Sequence, residues 1–355
     1  MKTKHNEQEK RRQRIRRIII LVFAALIFIA MLFGYRLFQT VMKSSVKTPN
    51  NESFSLYIPT GASYEQVIDS IKTHQLISDM EGFEWLAKKK NYPQRIHPGH
   101  YLFKQGMSNN QVVNMLLGGL QTPVKVTFNN MRDVRMLAGR ISQQIEADSL
   151  SIVSLLDNKD SLQAWGFDTR TIPSLFLPNT YEFYWNSSAW KFVNRMRQEY
   201  DKFWNDERLK KAQALGLTPQ QVSTLASIVD KETNKTDEMS RIAGVYLNRL
   251  RDGWLLQADP TLVFAVGDFE LKRILNVHKE VESPYNTYKY NGLPPGPICI
   301  PSLASINAVL NPEKHNYYYF CAKEDFSGYH NFAKTLSEHN RNAERYRKAL
   351  GKIEN

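Results

Sequence analysis

The feature that most constrains this chain is an uninterrupted apolar segment close to its N-terminus. Residues 18–35 (IIILVFAALIFIAMLFGY) carry no charge, and the run extends to Val41 if Arg36 reaches the membrane surface. About 20 apolar residues are enough to cross a bilayer as a helix. A cleaved signal peptide is the alternative, but the run is longer than a signal core and no A-x-A cleavage site follows it. The sequence therefore predicts a transmembrane helix over residues 18–41.

The charges around this segment predict its orientation. Residues 1–17 form a basic leader with eight Lys or Arg and two Glu, so this short stretch carries half of the chain's net charge of +12. Basic residues near a span favour the cytoplasmic side, and few of them follow this one. We expect a cytoplasmic N-terminus in a cell inner membrane, with everything after the span in the periplasm. The rest of the charge is dilute, which argues against nucleic acid as a partner.

Cysteine and histidine usage predicts neither a disulfide scaffold nor a metal site. Only Cys299 and Cys321 occur, and the eight histidines are scattered without the spacing of metal ligands. The two thiols could pair in an oxidising compartment, and this alternative stays open. We expect no metal and no cofactor.

The chain after the span is predicted to be an α+β protein of two domains. A polar linker covers residues 42–52, and a small α/β module covers residues 53–121. The module opens on a strand, and its helices are predicted to begin at capping boxes led by Ser63, Ser78 and Ser108. It contains no carboxylate pair or phosphate loop, so we interpret it as a binding module or spacer.

A larger mixed α+β domain covers residues 124–350. It opens on a strand at residues 124–128, and short strands or loops are expected between residues 254 and 332, in an order that the sequence does not define. Its helices are predicted at residues 131–147, 189–214, 219–231, 240–251 and 336–350.

The helix that follows Thr218 carries the strongest candidate for a catalytic group. At about 100° per residue, Glu232 lies about 20° from Leu225 among apolar side chains, whereas Asp230 lies about 160° from Glu232. The two carboxylates therefore do not face each other. Aliphatic neighbours disfavour the charged form of a carboxyl, which raises its pKa and suits a general acid near neutral pH. The alternative is that Glu232 is solvated at a frayed helix end.

Further polar candidates follow on the next segments. Arg249 falls on the apolar stripe of its helix, where it should be paired with a ligand or with a carboxylate, the structural ion pair being the more ordinary interpretation. Gln257 and Asp259 come soon after a glycine turn. Asp259 could instead cap a helix that has Pro260 at its first position.

A second polar cluster comes about 30 residues later. Asn286 and Tyr288 combine amide and aromatic groups, a mixture that suits acetamido groups and sugar rings. The run GLPPGP at residues 292–297 should fix a rigid loop beside them. Each of these residues alone is more often a packing residue, and it is their concentration near Glu232 that indicates a site.

Taken together, these segments resemble the endolytic murein transglycosylase family, which is also called YceG-like. The small module is similar to a LysM module, and the larger domain is similar to the catalytic domain of the family. The matching blocks occur in order at residues 176–183 (FLPNTYEF), 225–233 (LASIVDKET), 245–250 (VYLNRL), 256–261 (LQADPT), 283–288 (SPYNTY), 292–297 (GLPPGP) and 337–340 (SEHN).

The resemblance implies a membrane-anchored lyase. It would cleave the β-1,4 bond between N-acetylmuramic acid and N-acetylglucosamine in nascent peptidoglycan strands, leave 1,6-anhydro ends and help to terminate glycan elongation. Peptidoglycan synthases and division or elongation proteins would be its partners, and it would need no cofactor. The family's catalytic acid falls on Glu232. The residues expected to bind or support the substrate are Asp230, Gln257, Asp259, Asn286, Tyr288 and Arg249.

Two positions depart from the family pattern. Asp230 stands where the motif has Glu, and Ala258 stands where it has Thr. The first departure leaves the mechanism intact if Asp230 only supports the site. The alternative function is a catalytically inactive, membrane-anchored scaffold that binds glycan within the cell-wall synthesis machinery.

Overall fold

The structure is a computed structural model that describes residues 2–271 and 273–352. Contacts between residues divide the chain into two units. The first contains the residues up to Val124 together with Tyr184–Asn186, and the second contains Lys125–Phe183 and the residues from Ser187 onward.

The first unit begins with one long helix, α1 (Lys2–Met42). Its segment Arg14–Met42 is long and apolar enough to cross a membrane. The apolar side chains of this segment are exposed, as Leu21 at 68% and Phe33 at 71% illustrate. A helix that leaves such a surface uncovered by protein is consistent with the predicted transmembrane helix.

Two strands and three helices follow α1 in the first unit. The strands pair antiparallel, in a register that runs from Phe54 opposite Phe103 to Ile58 opposite Gly99. A buried apolar core lies between this sheet and the helices. The likeness to a LysM module stays a prediction. The elements are β1 (Phe54–Ile58), α2 (Tyr64–Thr73), α3 (Met80–Lys89), β2 (Gly99–Phe103) and α4 (Asn109–Leu117).

The helix starts of this unit follow local capping chemistry. Ser63 and Ser108 form the predicted capping boxes of α2 and α4, each with the glutamine three residues later. The box predicted at Ser78 is wrong, because the side chain of Asp79 accepts from the backbone of Gly82 and caps α3 instead. Ser and Asp are both favourable N-cap residues, so N-cap preference alone does not decide which of two adjacent residues caps the helix.

The second unit is a mixed α+β unit with more helix than strand, which confirms the predicted class. Its strands form two-stranded sheets, β3 with β4 and β5 with β6. The elements are β3 (Val124–Phe128), α5 (Val134–Ser142), α6 (Ser149–Asp157), α7 (Lys159–Ala164), β4 (Asn179–Phe183), α8 (Ala189–Phe203), α9 (Asp206–Ala214), α10 (Pro219–Glu232), α11 (Met239–Arg251), α12 (Asp259–Val266), α13 (Asn276–Lys279), α14 (Leu303–Leu310), β5 (Tyr319–Ala322), β6 (His330–Ala333) and α15 (Leu336–Leu350).

Helix α10 is the central element of this unit. It packs against α9, α11, α12 and α14, and its residues from Val222 to Asp230 are all buried. The apolar side chains of α10 are therefore only part of its buried surface. Ser223, Thr224 and Ser227 are buried as well, and their hydroxyls donate to backbone carbonyls of the same helix, as Thr224 does to Gln220.

Candidate active site

Glu232 is the last residue of α10, at the point where the buried helix reaches open space. Its Oε1 accepts a hydrogen bond of 2.5 Å from the hydroxyl of Tyr246 on α11. The residue as a whole is half-buried because it lines two cavities, while its carboxyl group lies deep among protein atoms. Glu232 is therefore an enclosed acid with access to a ligand.

The surroundings of Glu232 raise its pKa to about 7. Burial is the largest cause, since it removes water from the charged form, and the nearby charge of Asp259 acts in the same direction. The hydrogen bond from Tyr246 and the charge of Arg249 oppose the rise, because both stabilise the carboxylate. The balance leaves a group that can both give and take a proton near neutral pH.

Two cavities meet at Glu232 and differ in character. The smaller one, of about 420 Å³, is bounded by the residues after α10 and by the β5–β6 hairpin. Its lining is mostly polar and includes Thr233, Asn234 and His330. The larger one, of about 700 Å³, has an apolar wall that includes Phe264 and Ile298, and it also contains Asp259. A ligand can thus extend from the acid in two directions.

Asp230 has a different position from Glu232, as the helical wheel predicts. It is only 7% exposed, and its carboxylate accepts from the side chains of Asn130 at 2.8 Å and Ser302 at 2.5 Å. Ser302 is the N-cap of α14. Asp230 therefore ties the end of α10 to the start of α14, an arrangement that favours a supporting role.

Asp259 and Tyr288 lie together at the site. The hydroxyl of Tyr288 donates to Oδ1 of Asp259 at 2.6 Å. Helix α12 starts at Asp259 itself, with Ala258 in the cap position, so the carboxylate does not serve as the N-cap that the sequence allowed. Burial, the bond to Asp259 and the charge of Glu232 raise the pKa of Tyr288, so its hydroxyl keeps its proton.

Arg249 is buried beside these groups at 7% exposure. Its partners are two backbone carbonyls, with Nε donating to Tyr318 at 2.8 Å and Nη1 donating to Leu256 at 2.5 Å. No salt bridge within 4.0 Å joins Arg249 to a carboxylate among the described residues, so the ion pair considered from sequence does not form. Its charge instead acts on Glu232 across a distance and stabilises the carboxylate form.

Gln257 adopts a left-handed backbone conformation, with φ of 48°. Thr287 holds this turn, because its carbonyl accepts from Gln257 at 3.0 Å and its hydroxyl accepts from the backbone of Ala258 at 3.0 Å. A left-handed glutamine is strained by roughly 1–2 kcal/mol. Such strain next to a candidate catalytic acid indicates that the exposed side chain at this position has a use.

Asn286 shapes the loop that carries Tyr288. It is fully buried, its amide nitrogen donates to the carbonyls of Lys279 and Val281 at 2.8 Å each, and its oxygen accepts from the backbone of Tyr288 at 3.0 Å. These bonds use both donors and the acceptor of the amide. The arrangement favours a role in positioning Tyr288 over direct contact with a substrate.

The GLPPGP run packs closely on neighbouring backbone. A Cβ at Gly296 would lie 2.2 Å from the carbonyl oxygen of Arg170, so only glycine fits there. Directly after the run, the backbone of Ile298 donates to the hydroxyl of Ser227 on α10 at 3.0 Å. The run thereby fixes a wall of the larger cavity.

Sequence reasoning missed Tyr246. The sequence places this tyrosine in the block at residues 245–250 without a role, whereas in the structure its hydroxyl donates to Glu232 and its pKa is raised, above all by burial. A signal was present, because a tyrosine on a buried helix face usually has a hydrogen-bond partner for its hydroxyl. Its partner lies 14 residues away on another helix, which periodicity does not identify.

Other groups lie apart from this site. Another cavity, of about 1260 Å³, contains none of the predicted site residues. Cys299 and Cys321 are both free. Within residues 2–271 and 273–352, no group of three or more His, Cys, Asp or Glu side chains could hold a metal ion.

Comparisons with known proteins agree with the motifs. The model of the YceG-like family matches residues 56–345. An endolytic murein transglycosylase of Bacillus subtilis (strain 168) is 28% identical, over 89% of this chain and 90% of that protein. One from Streptococcus pneumoniae (serotype 2, strain D39) is 27% identical, over 92% of this chain and 64% of that protein.

Solved structures give the same result. A crystal structure of a yceG-like protein from Listeria monocytogenes has a TM-score of 0.54 and 27% identity, and the alignment covers 82% of this chain and 98% of that one. Because the family model matches most of the sequence, from the first strand after α1 to the last helix, the chain belongs to the YceG-like family.

Proposed function

We propose that the chain is an endolytic peptidoglycan lytic transglycosylase with Glu232 as its catalytic residue. It cleaves the β-1,4 bond between N-acetylmuramic acid and N-acetylglucosamine in nascent strands and leaves a 1,6-anhydro end. The observation that carries the proposal is an enclosed carboxyl with a pKa of about 7 at the meeting point of two cavities. The names of the relatives support the same activity.

The reaction needs one acid that becomes a base. Neutral Glu232 donates its proton to the glycosidic oxygen as the bond from that oxygen to C1 of the muramic sugar breaks. The resulting carboxylate then takes the proton of the C6 hydroxyl, whose oxygen attacks C1 and closes the anhydro ring. The proton count balances, water is not consumed, and Glu232 ends the cycle protonated.

The neighbours of Glu232 suit both halves of this cycle. Burial favours the neutral acid before cleavage, and the bond from Tyr246 together with the charge of Arg249 supports the carboxylate that forms after it. Positive charge also develops on the sugar in the transition state. Asp259, which lines the larger cavity, would lie near this positive charge, and the hydroxyl of Tyr288 orients its carboxylate.

The two cavities support cleavage inside a strand. An acid at the closed end of a pocket would accept only a chain terminus, whereas Glu232 has open space on both sides. Gln257 and Tyr288 are the side chains that we place against the sugars, while Asp230 and Asn286 hold the walls. The smaller, mostly polar cavity and the larger cavity with its apolar wall would receive different parts of the substrate.

We further propose that α1 anchors the protein in the inner membrane as a single span. Its N-terminal leader would lie in the cytoplasm and its catalytic unit in the periplasm, where nascent glycan is made. The charge asymmetry around the span supports this orientation. Peptidoglycan synthases and division or elongation proteins would then be its neighbours at the membrane.

The products of uncrosslinked glycan distinguish this function from its alternatives. Purified protein incubated with such strands should give shorter strands with 1,6-anhydro ends, as measured by mass spectrometry. Reducing ends would instead indicate a hydrolase. Binding without any new ends, under conditions in which a known lytic transglycosylase is active, would identify an inactive glycan-binding scaffold.

A further inference from the structure

A half-buried histidine paired with a buried glutamate lies beside the smaller cavity and has no part in the cycle above. Glu238, at 4% exposure, precedes α11, and His330 begins β6. One carboxylate oxygen of Glu238 accepts from the backbone of His330 at 2.9 Å, and the other faces Nδ1 of the same residue at 2.8 Å. Glu238 therefore holds both the backbone and the ring of His330.

This contact defines the chemistry of the imidazole. Nδ1 carries a proton, because it faces a carboxylate oxygen. The ring plane is further fixed by Phe320, whose ring meets it nearly perpendicular, at 88° and 5.4 Å between centroids. Nε2 is then the remaining polar atom of the ring, and it makes no hydrogen bond with any residue from 2 to 271 or from 273 to 352.

The cavity places this ring beside the catalytic acid. His330 and Glu232 line the same space of about 420 Å³, together with Thr233, Asn234 and Ser327. A pre-oriented ring nitrogen without a protein partner, in a polar cavity next to an acid, has the features of a group that orients a ligand.

We propose that Nε2 of His330 hydrogen-bonds a hydroxyl or acetamido group of the sugar in this smaller cavity, with Glu238 as the positioning residue that orients the ring. The proposal rests on the proposed function for the identity of the sugar polymer. His330 would thereby fix the ring that adjoins the scissile bond, so that the bond lies within reach of Glu232.

The ordinary alternative is that the pair only ties the hairpin to α11. Two substitutions separate the two roles. In His330→Asn, the side-chain amide can still donate to Glu238 from near the position of Nδ1, and nothing replaces Nε2. In His330→Gln, the longer amide reaches toward the position of Nε2, but the bond to Glu238 is lost.

The experiment measures binding of uncrosslinked glycan strands to full-length protein in which Glu232→Gln prevents cleavage. A direct contact predicts that His330→Asn weakens binding by about 3- to 10-fold, the range for one net hydrogen bond. His330→Gln should bind more tightly than His330→Asn. Tyr329→Phe is the matched control. Tyr329 lies on the same hairpin as His330, and the substitution removes an exposed hydrogen bond to Asp237, so the affinity should stay unchanged.

The opposite order of affinities would overturn the proposal. If the pair only ties the hairpin, His330→Asn keeps the affinity of its parent and His330→Gln loses affinity together with thermal stability. A parallel cleavage assay with protein that retains Glu232 tests the proposed function separately from the role of His330. Missing anhydro ends there would contradict the proposed function, while the order of affinities still decides the role of His330.

Discussion

The carboxyl of Glu232 is balanced between its two protonation states. Burial and Asp259 favour the neutral form, and Tyr246 and Arg249 favour the charged form. A pKa of about 7 follows from this competition. Since the first step needs the neutral acid, the cleavage rate should fall as the pH rises through this value.

The hydroxyl of Tyr246 gives a direct test of this balance. Tyr246→Phe removes a bond that stabilises the carboxylate, so the pKa of Glu232 should rise and the falling limb of the rate profile should move to higher pH. The measurement is the rate of anhydro-end formation between about pH 5 and pH 9. Tyr184→Phe, at an exposed tyrosine, is the control. An unchanged limb would show that Tyr246 does not tune the acid.

The strained turn at Gln257 predicts opposite effects on stability and activity. Glycine adopts positive φ without steric cost, so Gln257→Gly should raise the free energy of unfolding by up to about 1 kcal/mol. The loss of the side chain should lower the rate of glycan cleavage. Urea unfolding and the product assay check the two effects. Full activity in the glycine variant would remove Gln257 from the substrate site.

At the scale of elements, capping chemistry predicted many helix starts and periodicity predicted fewer of the ends. The proposed helix over 189–214 is two helices, because Asn205 caps a new one at Asp206. The helix proposed over 131–147 spans only Val134–Ser142, since Asp133 takes the cap position. The sequence predicts no helix at α14, because a short, mostly apolar segment fits strand and helix equally well, and it offers α12 only as an alternative, with Asp259 as its cap.

Asp230 links the end of α10 to the start of α14, and this link predicts that the residue has a mainly structural role. Asp230→Asn replaces one acceptor oxygen with a donor, so the bonds from Asn130 and Ser302 cannot all be kept. We expect the free energy of unfolding to fall by about 1–3 kcal/mol, with the type of product unchanged below the unfolding temperature. Denaturant titration with the exposed Asp201→Asn as control measures this. Undiminished stability with abolished cleavage would place Asp230 in the chemistry.

At the scale of the whole molecule, the sequence indicated the acid and the motifs but not the contacts between them. Tyr246 is 14 residues from Glu232, and Tyr288 is 29 residues from Asp259. These pairs form only when helices and loops of the second unit pack together. The pairing of Glu238 with His330, 92 residues apart, is a contact of the same kind.

The orientation of the span is open to a direct test. Protease added to spheroplasts of cells that make the full chain should digest the protein after about residue 43, which follows from the positive-inside rule. A tag on the N-terminal leader should survive until detergent opens the membrane. A protein that resists digestion in intact spheroplasts, with a tag that is lost, would reverse the proposed topology.

The central claim is that one carboxyl, Glu232, performs the cleavage. Glu232→Gln keeps the size of the side chain and removes its ability to donate and then accept a proton. Glu207→Gln, at an exposed carboxylate paired with Lys211 on α9, is the matched control. The measurement is the amount of 1,6-anhydro ends that each purified variant releases from uncrosslinked glycan. We expect wild-type amounts from Glu207→Gln and none from a folded Glu232→Gln. Anhydro ends from Glu232→Gln at the wild-type rate would contradict the claim.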